Sequence, residues 1–264
     1  MALADAPLTL PFRDGHVAVR SAGEGATVGY LHGMIGNPGV HPFLEALATT
    51  GHRAVAPSLP GFTGSSPSED LRSLHDWVVA TSEVIDLAGL AGAPLVASSV
   101  GAMLALEVAA VRPEVASALV LVAPFGLWDD DDPVADPFGT TLSVQRQMLT
   151  ADPTVTASFF DDDDATPADV LVELGVERYH TRTAAAALIW PIPEHGISTR
   201  LHRVTCPVTL VWGSEDAIIP PTYLQRWAAA LPNVAGTHVV DGAGHHAEWD
   251  RPTEVAEIAR RTLA

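Results

Sequence analysis

Cysteine is almost absent from this sequence: Cys206 is the only one in 264 residues, so no disulfide can close within the chain. Positive charge is scarce too, with 14 Lys and Arg against 32 Asp and Glu and a formal net charge of −18. That imbalance repels nucleic acid and anionic membrane surfaces and argues against both as partners. No apolar run approaches the roughly 18 residues that a membrane-spanning helix needs. The amino terminus has no basic start and carries Asp5, so it does not read as a secretory signal, and cytoplasmic residence is the simplest expectation. Two acidic tetrads, 129–132 and 161–164, lack the alternating ligands, central Gly and closing Glu of a calcium loop. They read as solvated loop acids that disfavour polyanionic substrates, and no metal is expected.

What the chain has in quantity is apolar residues, 47% of the total, enough for one large α/β domain or one such domain with an insertion. Its most informative stretch is Leu95-Val96-Ala97-Ser98-Ser99-Val100-Gly101-Ala102-Met103-Leu104. A short apolar run ends in two serines and passes at once into a helix rich in small residues that stops near Arg112-Pro113. Strand, sharp turn and helix are what a nucleophile elbow requires, with small residues two positions either side of the strained tip. Ser99 has Ala97 and Gly101 at those positions, whereas Ser98 would have Val96 and Val100, whose branched side chains crowd the turn. Ser99 is therefore the expected nucleophile.

Around this point the chain alternates. Early strands are expected at Val17–Val19 and Ala26–Leu31, with the glycine-rich turn Ser21-Ala-Gly-Glu-Gly between them. The second runs into the loop His32-Gly33-Met34-Ile35-Gly36-Asn37-Pro38-Gly39. That loop lacks the Gly-Lys-Ser/Thr ending of a phosphate-binding loop and suits a turn whose N–H groups face a cavity. A helix over 42–50, a strand from Arg53 to Pro57 and a helix carrying Leu74, Trp77, Val78, Thr81 and Ile85 follow. Beyond the elbow, 118–123 is a wholly apolar strand; strands of that kind separated by helices imply a mostly parallel sheet covered on both faces. Between 126 and 199 the repeat breaks into acid runs, Asp-Pro turns and helical patches at 170–179 and 183–189, with no convincing strand. A helical cap inserted into a core of 1–125 and 200–264 accounts for it. The repeat resumes with a strand from Cys206 to Gly213, a helix near 223–231, a strand at 236–240, and a final helix for which Asp250 is the expected cap.

A serine nucleophile needs a base and something to orient the base. His245, in Asp241-Gly-Ala-Gly-His after the last strand, is the leading base, with His246 as its rival. Asp216, in the loop after the penultimate strand, is the leading acid, with Glu215 beside it. Ser99, Asp216 and His245 each follow the carboxyl end of a separate expected strand, in the order used by α/β-hydrolases, at the edge where open parallel sheets bind ligands. Phe125 and Trp190 are candidates for lining the substrate pocket, and His195 reads as an exposed loop residue.

The motifs His32-Gly33, Leu59-Pro-Gly-Phe-Thr-Gly-Ser, Ala97-Ser-Ser-Val-Gly, Gly213-Ser-Glu-Asp-Ala-Ile-Ile-Pro and Gly242-Ala-Gly-His resemble those of capped, esterase- or lipase-like α/β-hydrolases over nearly the whole chain. Ala97 and Ala102 stand where that family commonly has glycine. The resemblance implies that the backbone N–H groups of Met34 and Val100 form an oxyanion hole and that 126–199 is a lid. It further implies acyl transfer with no metal or organic cofactor, on a small-molecule carboxylic ester. A carbon–carbon bond hydrolase with the same triad is the alternative, and a non-catalytic ligand-binding protein on this fold is the alternative of another class.

Overall fold

In the computed structural model, which describes residues 7–38, 41–161, 166–190, 192 and 195–263, eight strands form one sheet. They are β1 (Leu8–Phe12), β2 (Gly15–Ala22), β3 (Ala26–Leu31), β4 (His52–Pro57), β5 (Leu95–Ser98), β6 (Leu119–Val122), β7 (Val208–Gly213) and β8 (Val234–Val240). Their spatial order is β1-β2-β4-β3-β5-β6-β7-β8; β2 runs antiparallel to both β1 and β4, and every other pairing is parallel. The first strand adds to the two expected at the amino end. It is an edge strand containing Pro11, tolerable only where one side of the ladder is unpaired.

Side chains alternate across the pleat and divide the interior in two. Leu95, Ala97, Leu119, Leu121, Leu210 and Trp212 enter one apolar cluster, whereas Val96, Val120, Val122 and Val211 enter the other. Helices α2 (Leu74–Leu87) and α3 (Ser99–Val111) cover the first face; α1 (Pro42–Thr49) and the last helix (Pro252–Leu263) cover the second. α1 stops where Gly51 takes φ +87°. α2 starts with a full capping box, Ser73 and Asp76 each bonding the other's backbone N–H.

Between β6 and β7 the described residues contain no strand. They form α4 (Leu142–Leu149), α5 (Ala157–Phe160) and α6 (Ala168–Ile189). The two helical patches of this region are one helix, because His180-Thr181-Arg182 between them contains no breaker. Its carboxyl half buries Ala184, Ala185, Leu188 and Ile189 in the first cluster, while Val172 and Val176 in its amino half are exposed. The chain is tied back to the core after this helix by a bidentate Arg200–Glu107 pair, with N–O distances of 3.0 and 2.6 Å, onto a Glu107 that is almost wholly buried in α3.

The first acidic tetrad is not merely solvated. Asp129 pairs with Arg226 and donates its N–H to the Tyr223 hydroxyl, and Asp132 accepts from Thr222, so the run is fastened to the start of α7 (Tyr223–Ala230). Of the second tetrad, Asp161 pairs with Arg146 at 2.6 Å, and 162–164 lie outside the described residues. No helix among the described residues is long and apolar enough to cross a membrane.

Candidate active site

At the end of β5 the backbone turns into α3 through Ser99, whose φ of +56° lies in the left-handed region. For a residue with a side chain this conformation costs about 1–3 kcal/mol, and surrounding packing has to hold it. Gly101 supplies that packing: a Cβ there would lie 2.3 Å from the His32 carbonyl oxygen and 2.6 Å from that of Leu31. The end of β3 thus rests directly on the first turn of α3.

The loops after β7 and β8 are joined by backbone. Ser214 N–H donates to the Val240 carbonyl at 3.0 Å, Glu215 N–H to that of Ala243 at 2.8 Å, and Gly242 N–H to Ser214 Oγ at 2.9 Å. Gly213 has to be glycine, since a Cβ there would meet the Gly244 carbonyl oxygen at 2.1 Å. This contact carries Asp216 to the imidazole of His245, while Glu215 faces outward.

Ser99 Oγ lies 2.8 Å from His245 Nε2, and His245 Nδ1 lies 3.0 Å from Asp216 Oδ2 and 3.2 Å from Oδ1. Asp216 Oδ1 also accepts the N–H groups of Ile218 and Ile219, each at 2.9 Å, which fixes the carboxylate plane. A neutral imidazole carries one donor and one acceptor. The acid therefore selects Nδ1–H and leaves Nε2 to accept from the serine. Ser99 and His245 are completely buried. A family model of the alpha/beta hydrolases matches residues 30–258. The chain belongs to the alpha/beta hydrolase family.

Several curated relatives of this alpha/beta hydrolase carry names of one kind. The 2-hydroxy-6-oxononadienedioate/2-hydroxy-6-oxononatrienedioate hydrolase of Comamonas testosteroni is 26% identical, covering 89% of this chain and 86% of its own. The 2-hydroxy-6-oxo-6-phenylhexa-2,4-dienoate hydrolase of Burkholderia cepacia is also 26% identical over the same shares. Among solved structures, a meta-cleavage product hydrolase from Pseudomonas fluorescens superposes with a TM-score of 0.74 at 19% identity, covering 98% of both chains. An esterase from Exiguobacterium antarcticum gives 0.74 at 16% identity, covering 97% of this chain and 99% of its own. At these identities the structural likeness is one of fold.

Phe125 is buried with its ring edge-on to His245, the centroids 5.5 Å apart, just beyond Ala123, which is itself strained at φ +42°. Trp190 is different: it ends α6 with 59% of its surface exposed, since the carboxyl end of the helix turns it outward, and it is not part of this buried group. Met34 and Val100 are both buried, and Val100 sits in the first turn of α3, where N–H groups have no carbonyl four residues earlier in the helix. His195 is half-buried, with a carbonyl that accepts from Arg200 at 3.2 Å, rather than lying free on a loop.

Behind the site lies a second polar group for which the sequence carries no spacing signal. His246 Nδ1 lies 3.1 Å from Ser98 Oγ and 3.2 Å from Glu248 Oε1, and Tyr30 OH donates to the same carboxylate oxygen at 3.1 Å. The His246 ring presses on the loop after β3, where a Cβ on Gly33 would lie 2.1 Å from Cε1. Burial pushes Glu248 toward its neutral form, but the His246 imidazole and the hydrogen bonds from His246 and Ser98 outweigh it and hold the carboxyl below its ordinary value. Burial, reinforced by Glu248, raises the Tyr30 phenol well above its usual range, so it remains a donor. His32 is also structural: Leu59 N–H donates to its Nε2 at 2.9 Å, so Nδ1 carries the proton and donates to the Gly33 carbonyl at 2.9 Å. Burial lowers its pKa to about 4.

Proposed function

We propose that this alpha/beta hydrolase cleaves a carboxylic ester of a small, uncharged or apolar substrate through an acyl-enzyme on Ser99. The observation that carries this reading is the continuous chain from Ser99 Oγ through both His245 nitrogens to Asp216, at 2.8 and 3.0 Å. Ser99 attacks the carbonyl carbon as its proton passes to Nε2, and Asp216 holds the tautomer and stabilises the imidazolium. The proton then goes to the leaving alcohol, and water, activated by the same nitrogen, releases the acid. Met34 and Val100 N–H groups donate to the tetrahedral oxyanion, each lowering the barrier by about 3 kcal/mol. Residues 126–199 serve as the lid over the core formed by 1–125 and 200–264. Because Ser99 and His245 have no exposed surface, substrate reaches them only when that lid shifts.

A second reading is hydrolysis of a carbon–carbon bond in a conjugated keto acid, and it is favoured by the names of the relatives from Comamonas and Burkholderia.

The test is hydrolysis of short and medium p-nitrophenyl esters by the wild type and Ser99→Ala, with fluorophosphonate labelling and peptide mapping. Turnover that disappears with Ser99, and label on that residue, supports the ester reading. Label on Ser99 with little ester turnover and rapid loss of a ring-fission product's absorbance moves the assignment to the second reading. Tight ligand binding with neither label nor turnover would make the protein a non-catalytic member of the fold.

A further inference from the structure

Asp250 closes the short helix α8 (Ala247–Asp250), five residues after His245, and only 7% of it is exposed. Its carboxylate does not cap the helix that follows. Oδ2 accepts Gly244 N–H at 2.8 Å and Ala151 N–H at 2.9 Å, and Oδ1 accepts Asp152 N–H at 3.0 Å. In the reverse direction His246 N–H donates to the Leu149 carbonyl at 2.8 Å. Residues 149–152, which run on from the last residue of α4 in the lid, are thus bonded on both sides of His245, through Asp250 to Gly244 and directly to His246. The backbones touch: a Cβ on Gly244 would lie 2.7 Å from Ala151 N and 2.8 Å from the Thr150 carbonyl carbon. Three N–H donors converging on two oxygens require a carboxylate, because an amide would turn its own NH₂ toward one of them.

We infer that Asp250 is a positioning residue that makes the alignment of His245 depend on the seating of lid residues 149–152. When the lid is down, the loop carrying the base is held from the lid side as well as by Asp216; when residues 149–152 lift, Asp250 loses two of its three donors, Ala151 and Asp152, and the loop loses the bond from His246 N–H to Leu149. The base is then aligned only in the closed state. This inference rests on the reading of Ser99 and His245 given above.

The test uses two variants of the full chain, one on each side of the contact. Asp250→Asn alters the acceptor. Ala151→Pro removes a lid donor at a point where Thr150 is already extended (φ −140°, ψ 148°), as a residue before proline must be. Four quantities are read: kcat and KM on a p-nitrophenyl ester, the rate of fluorophosphonate labelling of Ser99, the downfield His245 Nδ1–H proton resonance, and Tm. In both variants kcat and labelling should fall by about tenfold or more, KM should move by less than about threefold, and the resonance should broaden. The double variant should be no worse than the poorer single, as expected for two changes to one contact. A lowered Tm with kcat, labelling and resonance unchanged would make Asp250 a fold-holding residue only and overturn the inference. If Asp250→Asn does not fold, Ala151→Pro decides by the same readings. Failure of the wild type to label at Ser99 overturns the triad reading and this inference with it, whereas a labelled wild type with unaffected variants overturns the inference alone.

Discussion

Ser98 and Ser99 are neighbours, as are His245 and His246, yet the two pairs build different things from the same residue types. In the Ser99 set the imidazole bridges: the acid lies on Nδ1 at 3.0 Å and the serine on Nε2 at 2.8 Å. A proton gained at one nitrogen is stabilised from the other. In the Ser98 set, serine and acid both face Nδ1, at 3.1 and 3.2 Å, and the buried Nε2 has no partner among the described residues. Ser98 also has ordinary strand geometry, φ −118° and ψ 138°, whereas Ser99 is strained at φ +56°. A Ser–His–acid composition therefore does not make a relay. A relay needs one partner on each ring nitrogen and a backbone that lifts the serine out of the strand, and only the Ser99 set has both.

The sharpest way to break this contrast is to delete each serine. Ser99→Ala should lower kcat about 10⁴-fold or more, while Ser98→Ala should keep turnover within a few-fold and lose on the order of 1 kcal/mol of stability, read by ester assay and denaturant titration. The acids come next. Asp216→Asn should reduce kcat about 10⁴-fold by favouring the wrong tautomer. Glu248→Gln should act on stability instead, by roughly 3 kcal/mol, because it leaves His246 and Tyr30 facing an altered buried partner. A Glu248→Gln enzyme that kept its Tm and lost its kcat would show that the contrast is drawn wrongly.

A smaller effect separates titration from catalysis. His41 packs between the rings of Tyr30 and Trp249, at 5.0 and 4.5 Å, with both of its buried nitrogens unpartnered among the described residues, and burial lowers its pKa to about 3. With His32 lowered to about 4, each is neutral when folded at a pH where the unfolded chain, at the ordinary value of 6.5, already takes up protons. Their contribution to stability is therefore complete above pH 6.5 and is lost as the pH falls from 6.5 toward 4 and 3. His41→Phe should flatten that acid limb in a Tm series from pH 4 to 8 and leave the neutral end almost unchanged. An acid limb as steep as the wild type's would remove His41 from the account.

Much of this architecture is legible from local pattern. The apolar runs at β5, β6 and β7 read as buried parallel strands because nothing in them alternates, and small neighbours on both sides of Ser99 single out the turn. Other features are invisible at that range. An edge strand with a proline at Pro11 and three exposed positions makes a weak pattern. Asp250 before Arg-Pro looks like a helix cap, and only the approach of residues 151 and 152, about a hundred positions earlier, redirects its carboxylate. The first acidic tetrad is anchored by Tyr223, Thr222 and Arg226, partners that no spacing within the run announces. Trp190 illustrates the reverse case: its type suggested a pocket wall, and the direction in which α6 ends puts it in solvent.

By itself, then, the sequence determined the alternation of strand and helix, the residue at which the chain makes its strained turn, and which loops carry an acid and a histidine. These follow from hydrophobic period, backbone stereochemistry and the size of near neighbours, all of which act over a few residues. The tertiary structure alone decided which histidine nitrogen meets which serine, which acid stands behind each imidazole, and which buried polar atoms are left without a partner among the described residues. Ser99 and His245 are 146 residues apart, and their bond exists because β5 and β8 end at the same edge of one sheet. A hydrogen bond depends on distances of tenths of an ångström, and only the packed sheet fixes those.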